Sequence, residues 1–233
     1  MRPLEGPLAQ LVGDELAPSL ARILFLAYRE GKISVEELRE ETPLVEELLF
    51  EACRLRMLLP ASPSVEWSSR RLKAGEGELY EMPRVIRCLV REAIERGRWD
   101  PERAIAEAFR EIGEEDWEDL PALVRRLFRR ARGLTVTAKE IKEVAEELGL
   151  GEKVDPLIAE LKACGVLSPK VGSLSEALKA RSPIYELNPC LKENLDPEGV
   201  FQEKGGDQEK HSPEDISHPA GAHPCGHQPG TEL

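Results

Sequence analysis

The sequence predicts a mainly α protein with small β-hairpins (α+β), in which one supersecondary unit occurs twice around a helical connector. Three observations carry this. The stretch "ELYEMP" (78–83) returns about a hundred residues later as "IYELNP" (184–189). Each half has a Ser/Thr-x-x-Glu capping signature after a short extended step, at Ser34 with Glu37 and at Thr137 with Glu140. In each half the helix before that step ends at a glycine, Gly31 or Gly133. Self-similarity of this kind marks a unit built more than once.

In "LAPSLARILFLAYREG" the residues Leu20, Ile23, Leu24 and Ala27 fall at helical spacing, giving a first helix that stops at Gly31. "KIS" is the extended step, and the capping box opens a short second helix, "VEELREE". Thr42 and Pro43 suit the N-cap and first turn of a third helix through about Arg56, with Leu44, Leu48, Ala52 and Leu55 on one side. "MLLPAS", "VEWSSRRLK", a "GEG" turn and "ELYEMP" then read as short strands and their connection. "RVIRCLVREAIERG" and "DPERAIAEAFREIG" are two amphipathic connector helices separated by Gly97 and an Asp100-Pro101 cap. Arg91–Glu95, Glu92–Arg96 and Arg103–Glu107 are placed as intrahelical pairs.

The second half repeats the order. "LPALVRRLFRRARG" offers Leu120, Leu123, Val124, Leu127 and Phe128 as an apolar stripe ending at Gly133. "LTVT" is the extended step and "AKEIKEVAEELG" the second helix. Asp155 and Pro156 reproduce the cap and first-turn pair of a third helix that ends at Gly165. "VLSPKV", a connection through residue 181 and "PIYELNP" close the unit. The expected division is 1–83 for the first unit, 84–118 for the connector, 119–190 for the second unit and 191–233 for a tail.

That tail is rich in Gly, Pro, Asp, Glu and Gln, has 3 Lys against 9 acids and lacks hydrophobic periodicity, so disorder is expected there. The chain has 233 residues and a formal net charge of −12, and its first 190 residues are acidic too. No apolar run approaches the roughly 18 residues a membrane span needs, and the N-terminus does not read as a signal peptide, so a cytoplasmic protein without membrane contact is expected. Five scattered cysteines with no C-x-x-C spacing predict reduced thiols. Residues 1–190 hold only two amides, Gln10 and Asn188, among abundant Glu and Arg, a composition suited to heat.

The order helix, short strand, helix, helix, hairpin resembles the winged-helix domain over about 8–83 and 119–189. It is nearest in "LTVTAKEIKEVAEELGLGEKVDPLIAELKACGVLSP". The resemblance implies double-stranded DNA as partner, with the third helix in the major groove and the wing on the backbone. The residues do not follow that pattern. The first third helix leads with Glu46, Glu47 and Glu51, and the second carries Glu152, Asp155 and Glu160 against Lys153 and Lys162. Positive charge gathers instead on Arg125, Arg126, Arg129, Arg130 and Arg132, on one arc of the helix opposite its apolar stripe. Arg70, Arg71 and Lys73 in "SSRRLK" form a second basic candidate.

Those eight cations are the expected phosphate contacts of a DNA-associated regulator. The competing expectation for the arginines is pairing with Glu114, Glu115, Asp116, Glu118 and Asp119 or with the other unit. The alternative function is an acidic adaptor whose third helices meet a basic protein partner. No catalytic activity is expected: His211, His218, His223 and His227 all lie in the tail, and no nucleophile elbow, phosphate loop, dinucleotide fingerprint or zinc-helix motif is present. "HPCGH" around Cys225 lacks a fixed geometry for metal, and no cofactor or metal site is expected. Trp67, Trp99 and Trp117 are expected to pack between the units and the connector.

Overall fold

A computed structural model describes residues 2–61, 77–151, 154–170, 174–192 and 195. Ten helices and two three-stranded antiparallel sheets are found among them. Trp67, Arg70, Arg71, Lys73, most of the first hairpin's connection and the tail from residue 196, with its histidines and Cys225, lie outside the described residues. No helix among the described residues is long and apolar enough to cross a membrane.

The first unit opens with α1 (Arg2–Val12), which the sequence analysis did not anticipate because Pro3, Gly6 and Pro7 argue against a helix there. Burial of Leu4 and Leu8 under the helices that follow outweighs this weak propensity. α2 (Ala17–Glu30) buries Leu20, Ile23, Leu24 and Ala27 and ends at Gly31, whose φ of +81° lets its N–H bond back to Ala27 O. β1 (Lys32–Ser34) leads into α3 (Val35–Glu41) through a complete capping box: Ser34 Oγ accepts from Glu37 N at 3.2 Å, and Glu37 Oε2 accepts from Ser34 N at 2.7 Å.

α4 (Val45–Arg54) begins later than expected. Thr42 Oγ1 accepts from Leu44 N at 3.2 Å in a turn ahead of the helix. The buried stripe is therefore Val45, Leu48, Leu49 and Ala52, and Leu44 stays outside the core, 42% exposed. β2 (Leu59–Pro60) and β3 (Leu79–Glu81) complete a sheet of order β1-β3-β2.

The connector helices α5 (Arg84–Arg96) and α6 (Pro101–Ile112) form as the sequence predicts, with Gly97 left-handed and Asp100 Oδ1 accepting from Arg103 N at 3.1 Å. Their charges pair differently. Glu92–Arg96 is intrahelical at 3.3 Å, but Arg103 Nε donates to Glu92 Oε1 at 2.9 Å and Arg91 Nη1 to Glu111 Oε1 at 2.7 Å. Because α5 and α6 pack face to face, cross-helix carboxylates take the place of the intrahelical ones expected for Arg91 and Arg103. Glu92, 3% exposed, lies between two guanidinium groups, those of Arg96 and Arg103.

The second unit runs α7 (Leu120–Arg130), β4 (Thr135–Thr137), α8 (Ala138–Glu147), α9 (Val154–Ala163), β5 (Leu167–Pro169), α10 (Leu174–Ala180) and β6 (Ile184–Leu187). Its sheet order is β4-β6-β5. The expected stripe of α7 is fully buried, and the Thr137–Glu140 capping box is complete. Three details differ. α7 ends at Arg130, so Arg132 lies beyond the helix; Asp155 and Pro156 lie inside the first turn of α9; and the expected connection holds α10. A 3-10 turn at Pro189–Leu191 follows, and Leu191 and Leu195 are buried, so packing continues past the boundary expected at 190.

The two sheets share one register. Tyr80 pairs with Ile33 and Pro60, as Tyr185 pairs with Val136 and Pro169. The turns after α4 and α9 also correspond: Met57 N donates to Ala52 O at 2.7 Å and Val166 N to Leu161 O at 2.9 Å. This equivalence sets Arg56, φ +54°, against Gly165, φ +84°.

These turns form the joint between the units. Val85 N, just after the first sheet, donates to Cys164 O at 2.9 Å, and Cys190 Sγ, just after the second, lies 3.0 Å from Leu55 O. Asn188, fully buried, sends Nδ2 to Gly165 O at 3.0 Å and to Arg56 O at 3.4 Å. Arg56 reaches the carbonyls of Glu186 and Leu187, each at 3.2 Å, and the Glu186 carboxylate. Trp99 Nε1 donates to Cys190 O at 3.2 Å, and Trp117 packs partly buried against the core, as expected.

Two outcomes follow for the joint. A Cβ at Gly165 would meet Pro83 Cβ at 2.5 Å, on a backbone of positive φ. G165A therefore lowers unfolding free energy by about 2–4 kcal/mol, read from urea melts. Burial pushes the Cys88 thiol up to about 11 and the Cys164 thiol up to about 12 from an ordinary 9. Both stay protonated in the fold, so iodoacetamide at pH 8 leaves them unmodified until urea is added, as peptide mapping would show. Their contribution to stability is complete below pH 9 and declines as pH climbs toward 11–12.

Candidate partner-binding surfaces

A phosphate-gripping face needs cations that are exposed and not already engaged. The α7 stripe turns Leu123, Val124, Leu127 and Phe128 into the core, which sends Arg125, Arg126, Arg129 and Arg130 outward toward the flanking helices. Arg125 pairs with Glu102 at the start of α6. Arg126 lies 3.3 Å from Glu147 on α8, and Arg130 pairs with Glu147 and lies 3.5 Å from Glu143. For Arg125, Arg126 and Arg130 these carboxylates are not the ones at 114–119. The carboxylates come from the helices packed on either side, a relation that sequence spacing does not reveal.

Arg132 stands apart from that face. It exchanges both backbone bonds with Thr135, at 3.1 and 3.2 Å, around Gly133, whose φ is +68°. The five arginines therefore do not form one helical arc. Four lie on α7 and the fifth on a turn at the edge of the second sheet.

The leading end of α4 is the opposite kind of surface. Leu44, 42% exposed, is flanked along the chain by Glu40, Glu41 and Glu47, all exposed. Glu46 is 3.5 Å from Arg39, and Arg54, at the far end, serves Glu51 at 2.6 Å. Among the described residues no cation pairs with Glu40, Glu41 or Glu47. The nearby Glu36 and Glu37 are held below the ordinary carboxylate range by hydrogen bonds, Glu36 from Gly77 N at 2.9 Å and Glu37 from Ser34 N, and so stay ionised. An apolar side chain set among fixed negative charge suits a basic partner with one hydrophobic anchor.

In the second unit the corresponding helix lines a cleft of about 270 Å³ between α9 and the α6–α7 loop. Its wall holds Glu114, Glu115, Asp116 and Glu160 above Leu120 and Leu157. This surface too is acidic where it meets solvent. Sequence reasoning found the acidic third helices but not Leu44, which it assigned to the core stripe.

An ion pair on this surface contributes little to folding. Replacing Arg126 and Arg130 together by Ala is expected to change stability by no more than about 1 kcal/mol in urea melts, because both side chains are at least one-third exposed.

No curated protein and no solved structure matches the chain. A protein-family model does match, over residues 5–197, and the chain belongs to that family.

Proposed function

We propose that this family member is a non-catalytic, cytoplasmic adaptor built from two winged-helix units, whose acidic helix ends bind a basic protein segment. The observation that carries this reading is the leading end of α4. In a nucleic-acid reader that end faces phosphates, and here it presents Leu44 with three carboxylates that no described cation neutralises. Placed against a phosphate backbone, Glu40, Glu41 and Glu47 would each oppose binding; placed against lysines or arginines of a partner, each favours it.

A second reading, a DNA-associated regulator, draws on the α7 face. Arg126 and Arg130 are 46% and 36% exposed in their side chains, and surface pairs of about 0–1 kcal/mol can yield to phosphate. The arginines then act without sequence readout, since no Asn or Gln lies on α4, α7 or α9.

Affinity capture from cell extract with the full chain separates the two. Under the adaptor reading, partners survive nuclease treatment and are depleted about tenfold on the variant E40K/E41K/E47K. Capture that nuclease abolishes, or that R126A/R130A removes while the lysine variant retains it, would overturn the adaptor reading in favour of DNA.

A further inference from the structure

The second unit carries a groove that neither reading uses. One side is the edge strand β4 with the start of α8, the other is α10, and the space between is about 670 Å³. The two sides are tied together. Ala138 N donates to Pro183 O at 2.8 Å and Lys139 N to Ser182 Oγ at 3.1 Å, while Lys170 Nζ, just past β5, holds α10 through Glu176 Oε2 at 3.0 Å. A groove held at three points keeps its shape without a ligand.

Its charge is unequal once existing bonds are counted. Glu140 is committed to the cap, accepting from Thr137 N at 2.7 Å and Thr137 Oγ1 at 2.8 Å. Glu143 lies 3.5 Å from Arg130 and 3.9 Å from Lys139, and Glu176 holds Lys170. Arg132 and Lys179 also line the groove, and among the described residues neither has a carboxylate at ion-pair distance. The backbone of Arg132 is held by its paired bonds to Thr135. Those bonds, and the cap on Thr137 N, also close most of the outer edge of β4, so the groove holds a ligand by side chains and not by adding a strand.

We propose that this groove binds an acidic peptide segment of a partner protein. Arg132 and Lys179 take its carboxylates from the β4 and α10 sides, and Ala180, exposed at the end of α10, supplies apolar contact. A phosphodiester backbone fits less well. Its closely spaced charges would fall on Glu140, Glu143 and Glu176 as well as on the cations, whereas a peptide can space its carboxylates to avoid them. This surface is separate from the α4 end and stands whichever reading of that end holds.

The test uses the full chain and a fluorescein-labelled peptide of alternating Glu and Gly, followed by anisotropy at low and high salt. A DNA duplex and the variants R132A/K179A and K142A run alongside. The peptide binds at low salt, R132A/K179A weakens it about tenfold or more, and K142A, exposed on α8 outside the groove, retains it. The proposal is overturned by no binding at low salt, by equal weakening in K142A, by undiminished binding in R132A/K179A, or by a duplex that binds more tightly at Arg132 and Lys179 than the peptide does. E40Q/E41Q/E47Q, which removes the α4 carboxylates without adding cations, leaves peptide binding within about twofold, so the α4 reading can fail without this one.

Discussion

The amide of Asn188 is where the fold is fixed. It is fully buried, and its Nδ2 bonds to the carbonyl that ends the turn after each third helix, Gly165 O from one unit and Arg56 O from the other. Around it the contact is reciprocal: each unit's turn meets the segment leaving the other unit's sheet, through Cys164 with Val85 and Leu55 with Cys190. This is how an isologous twofold interface is built, here within one chain. One buried core accordingly runs from Leu4 to Leu195, although the sheets stay separate.

The reciprocity stops at the residue whose φ is positive. Gly165 takes that conformation without strain and lets Pro83 pack against its bare Cα. Arg56 holds the same conformation at a cost of about 1–2 kcal/mol. Its guanidinium offsets that cost by capping two carbonyls and a carboxylate of the other unit, with only 11% of its side chain exposed. A glycine there would relax the turn and leave Glu186 without its cation. One unit contributes close backbone approach and the other a long charged arm.

Much of this architecture is legible in the sequence because it is written in local chemistry. Capping boxes, glycine stops and 3.6-residue stripes act over a few residues, and Ser34, Thr137, Gly31 and Gly97 do what their types imply. What escapes is decided by partners distant along the chain. α1 exists because Leu4 and Leu8 are covered, against the preference of its own prolines. Leu44 leaves the core because Thr42 bonds a turn ahead of the helix, and Val45 takes its place beside Leu48 and Ala52. The arginine arc is visible in the spacing, but Glu102, Glu143 and Glu147, which occupy it, arrive from α6 and α8.

The paired tyrosines show how far two equivalent positions can diverge. Tyr80 and Tyr185 hold the same register, yet Tyr80 is 3% exposed and bonds Glu78, while Tyr185 is half-buried. The neighbour before each reverses the order: Leu79 is 46% exposed and Ile184 is 8%. Ile184 is covered where it lines the groove beside α10. The two units thus share a backbone pattern while side-chain burial differs between them. A surface belonging to one unit need not recur on the other, which is why an acidic helix end and a cationic groove can occupy the two halves of one repeated fold.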